Sequence, residues 1–187
     1  MEGVSKMRVM LVCSALVFVG VQTKDADEKK GGDGGPSSKV PELKVLDHYA
    51  GEWTVEFVNK DIPFVNTKVT AKWILDGRFL EQSGDLADRN GAEGFKLKTL
   101  MTFDKNKNAY RSWTFTSDGS ALENDCVWDD KAKTMTSISK KIEGEGFTTT
   151  TADFSQPGVE HWKIAISDAT GKVTGEISGK NTREKKK

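Results

Sequence analysis

The chain has 187 residues, of which 36% are hydrophobic and 30% are charged, a balance typical of a soluble protein with one globular domain. It carries 28 Lys and Arg residues and 28 Asp and Glu residues, so its formal net charge is zero. A nucleic-acid-binding protein needs a basic face to displace counterions, and this charge balance argues against that class and predicts no nucleic-acid partner.

Residues 1–23 have the pattern of a signal peptide. Lys6 and Arg8 precede a mostly apolar run at 9–21, which is short for a membrane span. We therefore predict export to the periplasm or the extracellular space, with no stable membrane insertion once the signal is cleaved. An uncleaved membrane anchor is the alternative.

Cysteine usage limits the covalent chemistry of the mature chain. Cys13 would allow a lipoprotein, but the bulky Val12 stands where a lipidation signal has a small residue. After cleavage Cys126 is the one cysteine left, so an intramolecular disulfide is excluded. Core packing and strand pairing must therefore hold the fold.

Next in the chain come a linker and a short helix. Residues 24–39 are rich in Lys, Asp, Gly and Ser and predict a flexible linker, because they cannot bury enough apolar surface to offset their ordering entropy. From Pro41 to Tyr49 the sequence predicts a short helix, with proline in the first turn and leucines on one face. Residues 184–187 predict a charged, solvated tail, which leaves 40–183 as the folded domain.

From residue 52 onward, short alternating segments are separated by Gly-, Asp- and Asn-rich turns. This punctuation predicts ten strands joined by tight turns, and a meander of that length normally closes to remove its edges. We therefore predict an all-β fold, an up-and-down antiparallel β-barrel with a short N-terminal capping helix. The predicted strands are 52–59, 66–75, 78–87, 95–104, 109–116, 120–128, 133–142, 146–154, 159–167 and 172–182.

Alternation also gives each strand one apolar face, which we assign to the barrel interior. The residues assigned inward on this basis are Val69, Ala71, Trp73 and Leu75; Leu97, Thr99, Met101 and Phe103; Arg111, Trp113 and Phe115; Leu122, Asn124, Cys126 and Trp128; and Trp162, Ile164 and Ile166. Among them, five are candidate ligand-binding residues, namely Trp73, Arg111, Trp113, Phe115 and Asn124.

Two of these candidates carry polar groups. A guanidinium inside an apolar barrel would bind a ligand carboxylate through paired hydrogen bonds. Alternatively, Arg111 lies at a rim or pairs with a structural Asp or Glu, since a buried charge needs a partner. Asn124 could orient a ligand, or it could be a core amide whose hydrogen bonds are satisfied within the protein.

The opening of the barrel resembles known families. A short helix that leads into Gly51-Glu52-Trp53 resembles the calycin superfamily, which includes lipocalins and fatty-acid-binding proteins. A closer resemblance is to exported bacterial proteins of a domain of unknown function, number 1579. It rests on Leu46 to Trp53, Ile74-Leu75-Asp76-Gly77-Arg78-Phe79-Leu80, Phe103-Asp104, Tyr110 to Phe115, Ser117-Asp118-Gly119, Trp128-Asp129 and Glu160-His161-Trp162. This resemblance implies a lipocalin-like barrel and no particular activity.

The sequence offers little catalytic or metal-binding chemistry. His48 and His161 stand apart from any Cys or Asp cluster, so we predict no metal site and no cofactor. Haem ligation by one histidine is disfavoured because His161 is out of phase with the apolar face. A hydrolase or isomerase would have to draw on Cys126, His161 and Tyr110.

We therefore favour an exported, non-enzymatic barrel that binds a small hydrophobic or amphipathic ligand, one that could bear a carboxylate, in its interior. The first alternative is a fully packed structural or interaction module, and the second is an enzyme. The oligomeric state is left open.

Overall fold

The structure is a computed structural model that describes residues 40–59, 67–86, 95–140 and 145–185. The predicted signal peptide and linker, 1–23 and 24–39, lie outside these ranges. Within them, no helix is long and apolar enough to cross a membrane.

A short 3₁₀ helix, Pro41–His48, precedes ten β-strands. The strands are β1 (Gly51–Phe57), β2 (Thr67–Ile74), β3 (Phe79–Leu86), β4 (Phe95–Asp104), β5 (Ala109–Thr116), β6 (Ala121–Asp129), β7 (Thr134–Ser139), β8 (Phe147–Asp153), β9 (Val159–Ser167) and β10 (Val173–Arg183). Each corresponds to one predicted segment, so the predicted number and order of strands are confirmed.

Each strand pairs antiparallel with the next one, and β1 pairs with β10 to close the barrel. The predicted closed, up-and-down antiparallel barrel is therefore confirmed. At the closing pair, Trp53 of β1 lies opposite Arg183 of β10. Closure removes the two free edges that an open meander of ten strands would expose.

The 3₁₀ helix, which we call the capping helix, packs its leucines into the barrel's core. Leu43 and Leu46 are buried there with Leu80, Met135 and Phe154. The helix ends at His48, and the chain then enters β1 at Gly51, whose φ of +127° is a conformation that residues with a side chain rarely adopt. This glycine therefore permits the sharp turn from helix to strand.

Trp53 fastens the capping helix to the barrel. Its indole Nε1 donates a hydrogen bond of 2.7 Å to the carbonyl oxygen of Tyr49, and its side chain is buried. The guanidinium of Arg183 lies 4.6 Å from the centre of the Trp53 ring and donates a hydrogen bond of 2.7 Å to the carbonyl oxygen of His48. The helix, the first strand and the last strand therefore meet at one tryptophan.

The first residue of the segment predicted to be a solvated tail contacts the barrel. The backbone N–H of Glu184 donates to the carbonyl oxygen of Glu52 at 2.8 Å. The Glu184 carboxylate also forms an ion pair of 2.7 Å with Lys68. Glu184 is thus held against the barrel wall, while residues 186 and 187 lie outside the described ranges.

Candidate functional site

The barrel interior contains a cavity of about 390 Å³. This volume lies near the lower end of the range for small-molecule sites, about 300–1,000 Å³. Tyr49, which directly follows the capping helix, is part of the cavity lining, and the strands contribute the rest. The purely hydrocarbon part of the wall includes Val55, Phe57, Val69, Leu86, Leu97 and Leu122.

Small polar side chains form a second part of the wall. Thr99 and Thr114 share a hydrogen bond of 2.9 Å between their hydroxyls. The Nδ2 atom of Asn124 donates to the Ser112 hydroxyl at 3.0 Å. These groups partly satisfy one another, so this stretch of wall is polar but uncharged.

The charged part of the wall is Glu160 on β9. The residue is 6% exposed, and its carboxylate accepts a hydrogen bond of 2.7 Å from Nδ2 of Asn181 on β10. The Asn181 oxygen in turn accepts a hydrogen bond of 2.8 Å from the indole Nε1 of Trp162. Because an indole N–H can only donate, it fixes the amide oxygen toward Trp162 and the amide nitrogen toward Glu160.

Burial controls the protonation of this group. Removal from water raises the pKa of Glu160 from 4.5 to about 7, although the hydrogen bond from Asn181 acts in the opposite direction. The pKa of Tyr49 is raised well above 10, first by burial and then by the nearby Glu160 and Cys126. Of the described residues that line the cavity, none is Lys, Arg or His. The acid therefore has no cationic partner in the cavity wall.

Glu160 was missed in the sequence although the signal was present. It lies two residues before Trp162 and therefore shares the inward face of Trp162, Ile164 and Ile166. Because a carboxylate interrupts an apolar pattern, hydrophobicity assigns the inward face only from Trp162 onward. Asn181 had no comparable signal, because its strand does not alternate clearly.

The predicted inward orientation of Arg111, Trp113 and Phe115 is wrong. In the β4–β5 and β5–β6 ladders, Ser112 lies opposite Met101 and Asn124, so Ser112 faces the interior and its two neighbours face outward. Phe115 is 44% exposed on the outer surface. The inner face of β5 carries small hydroxyl side chains that leave room for the cavity.

Arg111 is held on the outer surface by carboxylates. It forms ion pairs with Asp104 at 3.3 Å, with Asp125 at 3.8 Å and with Glu123. Its guanidinium also lies 4.9 Å from the centre of the Trp113 ring. Arg111 therefore pairs with structural acids, which was the alternative expectation. It does not face the interior, so it cannot bind a ligand carboxylate there.

The other two candidates face inward but differ in position. Asn124 lines the cavity through the contact with Ser112 described above. Trp73 packs against the core beneath the capping helix and donates a hydrogen bond of 2.9 Å from Nε1 to Asp47. Leu75, also predicted to face inward, lies in the turn after β2 with a φ of 49° and is 67% exposed.

The residues that an enzyme would have drawn on do not bond to one another: Tyr110 and Cys126 lie opposite each other in the β5–β6 ladder, but each makes its hydrogen bonds elsewhere. Cys126 is buried, and burial raises the pKa of its thiol, which opposes thiolate chemistry. Tyr110 donates its hydroxyl to the carbonyl oxygen of Glu42 at 2.6 Å, and His161 is exposed on the outer face. Among the described residues, no group of three or more His, Cys, Asp or Glu side chains is placed to hold a metal ion.

A scan of protein-family models finds no family that matches this chain. A search of curated protein sequences also finds no match.

Proposed function

We propose that this protein is an exported, non-enzymatic, lipocalin-like barrel that binds a small hydrophobic or amphipathic molecule in its interior. The observation that carries the proposal is the cavity of about 390 Å³, whose wall is largely hydrocarbon. Burying a ligand's apolar surface in such a site contributes roughly 25 cal/mol per Å² removed from water. Export is proposed from the pattern of the first 23 residues.

The cavity favours this function over a fully packed module. In a packed barrel the inward side chains of β5 and β8 would be large enough to meet across the interior. Here these strands present Ser112, Thr114, Thr148 and Thr150, which are small. We therefore take the cavity to be space for a ligand.

Native mass spectrometry of the purified protein tests the proposal directly. A co-purifying small molecule, or saturable binding of 1-octanol measured by calorimetry, is the expected result. If the native protein carries nothing and 1-octanol does not bind, the proposed function is wrong.

A pair of variants locates the binding. Thr150→Phe places a ring inside the cavity and should weaken 1-octanol binding by about 10-fold or more, because the ring occupies the ligand's space. Thr149→Phe is the matched control, since Thr149 immediately precedes Thr150 on β8 and faces outward. Equal affinity in the two variants would show that the alcohol binds elsewhere.

A further inference from the structure

The carboxylate of Glu160 has no cationic partner in the described part of the cavity wall. Its carboxylate is buried, and among the residues that the structure describes its one hydrogen bond comes from Asn181. A buried carboxylate normally has a cationic partner or several hydrogen-bond donors. This one lines a cavity whose described wall carries no cation.

The geometry of Asn181 separates the two carboxylate oxygens. Oε2 accepts the hydrogen bond from Nδ2, and Trp162 holds the amide in that orientation. Oε1 receives no hydrogen bond from the described residues. When Glu160 is neutral this oxygen can carry the proton, and when Glu160 is ionised it is an acceptor for a donor group that enters the cavity.

We propose that Glu160 binds the ammonium group of an amphipathic amine whose hydrocarbon part lies against the apolar wall of the cavity. This inference rests on the proposed function, because it names the ligand class of the same site. The carboxylate supplies the counter-charge. Charge-assisted hydrogen bonds of this kind are stronger than neutral ones. Tyr49, which also lines the cavity, lies near enough to Glu160 for that acid to contribute to its raised pKa.

Other ligand classes fit this end of the cavity less well. A carboxylate ligand would meet an ionised Glu160 with no cation to offset the repulsion. A neutral alcohol could donate one hydrogen bond to Oε1 but would leave the charge of the buried carboxylate uncompensated. An ammonium group both donates hydrogen bonds to the carboxylate and neutralises its charge.

Binding of an amine should be linked to the loss of a proton from Glu160. The pKa of this acid is about 7, so its ionised fraction rises about 100-fold between pH 5 and pH 8. An alkylammonium stays charged across this range, as a lysine side chain does. The neutral acid therefore releases its proton when the cation binds below pH 7.

The groups around Glu160 do not titrate in this range. Tyr49, which directly follows the capping helix, has a pKa raised well above 10. The adjacent strands β8 and β10 present Ala152 and Asn181, which do not ionise. Cys126 on β6 lies near Tyr49, and burial raises the pKa of its thiol.

One cation, Arg183, and one titratable imidazole, His48, lie beside the capping helix and do not line the cavity. Arg183 on β10 directs its guanidinium to the carbonyl oxygens of Asp47 and His48 rather than into the cavity. Burial, followed by Lys133 and Arg183, lowers the pKa of His48, which stacks on Trp128. Glu160 is therefore the group expected to govern the pH dependence of binding.

The test compares octylamine, 1-octanol and octanoate, which share one hydrocarbon chain and differ in the head group. Calorimetry at pH 5, 6, 7 and 8 on the ligand-free wild-type protein should show octylamine affinity rising about 100-fold from pH 5 to pH 8. The affinity of 1-octanol should change little, and that of octanoate should fall.

A matched pair of variants assigns the effect. Glu160→Gln keeps the size of the side chain but cannot ionise, so it should remove the pH dependence of octylamine binding. Glu56→Gln is the control, because Glu56 faces outward on β1 in an ion pair with Lys180 and should behave as wild type.

The outcomes separate the two proposals. If 1-octanol or octanoate binds at pH 8 as tightly as octylamine, the amine inference is overturned while the proposed function stands. The amine inference is also overturned, and the proposed function still stands, if octylamine affinity does not change with pH in the wild type. This measurement does not depend on the folding of any variant. If none of the three probes binds, both proposals fall.

Discussion

Replacing Glu160 by glutamine should change the pH dependence of stability even without a ligand. In the folded protein the pKa of Glu160 is about 7, against 4.5 for the ordinary group. Below pH 4.5 both states hold the proton, so the residue adds no pH dependence. Between the two pKa values the unfolded chain ionises while the folded protein stays protonated, so stability falls as pH rises.

The size of the effect follows from that difference. Each unit of pKa difference corresponds to about 1.4 kcal/mol, so the full difference between 4.5 and about 7 lowers the free energy of unfolding by about 3.4 kcal/mol. Of this, about 2.5 kcal/mol is lost between pH 5 and pH 8, because part of the unfolded chain is already ionised at pH 5. Glutamine does not titrate and can still accept the hydrogen bond from Asn181. Relative to wild type, Glu160→Gln should therefore gain about 2.5 kcal/mol of stability over this interval.

Urea unfolding followed by tryptophan fluorescence at pH 5 and pH 8 measures this difference. The comparison cancels the other titrating groups. His48, for example, has a pKa lowered first by burial, so its contribution to stability rises with pH up to about 6.5 in both proteins. A difference between the two proteins that stays constant within about 0.5 kcal/mol from pH 5 to pH 8 would refute the assignment of a raised pKa to Glu160.

Arg111→Ala should leave 1-octanol affinity within about 2-fold of wild type, because the side chain lies outside the barrel. It should lower the free energy of unfolding by about 2 kcal/mol through its lost ion pairs. Weakened octanol binding in a calorimetric titration would contradict this placement. Gly179→Ala should destabilise the barrel by about 2 kcal/mol, since an added Cβ would overlap the Trp162 ring, whereas Gly175→Ala on the same strand meets only ordinary contacts. Equal denaturation midpoints for the two alanine variants would count against that packing. Cys126 should react with iodoacetamide only as fast as the protein opens, because its thiol is buried, and labelling of the folded protein at the rate of a free thiol would rule this out.

The strand order was predictable because turn residues punctuate the chain so often. Pairs such as Asp118-Gly119 and Asn90-Gly91 separate alternating segments of similar length, and ten such segments without free edges imply closure. Length and period alone therefore lead to the barrel. They do not say how wide the barrel is or whether side chains fill it.

The orientation of β5 could not be predicted from its own residues. Trp113 and Phe115 are the larger apolar side chains, and hydrophobicity assigns them inward. What decides is the register, which places Ser112 between Met101 and Asn124 of the neighbouring strands. A shift of one residue exchanges the two faces of a strand. A single error in the phase of β5 therefore assigns all three candidate residues of that strand to the wrong face.

The cavity itself was only partly visible in the sequence. Asn124 was identified because it shares a face with Leu122 and Cys126, a phase that the structure bears out. Glu160 and Asn181 meet because β9 and β10 pair, and their hydrogen bond depends on that pairing. Sequence spacing does not encode which buried acid faces which amide across a ladder.

The closing pair of strands has a consequence for the order of folding. Trp53 and Arg183 meet only after almost the whole domain has been synthesised, and contacts so distant in sequence form late because loop closure opposes them. Asn181 lies on that last strand, paired with Val55 of the first. A growing chain can therefore pair its early hairpins one after another, but the acidic end of the cavity is assembled only in the final step.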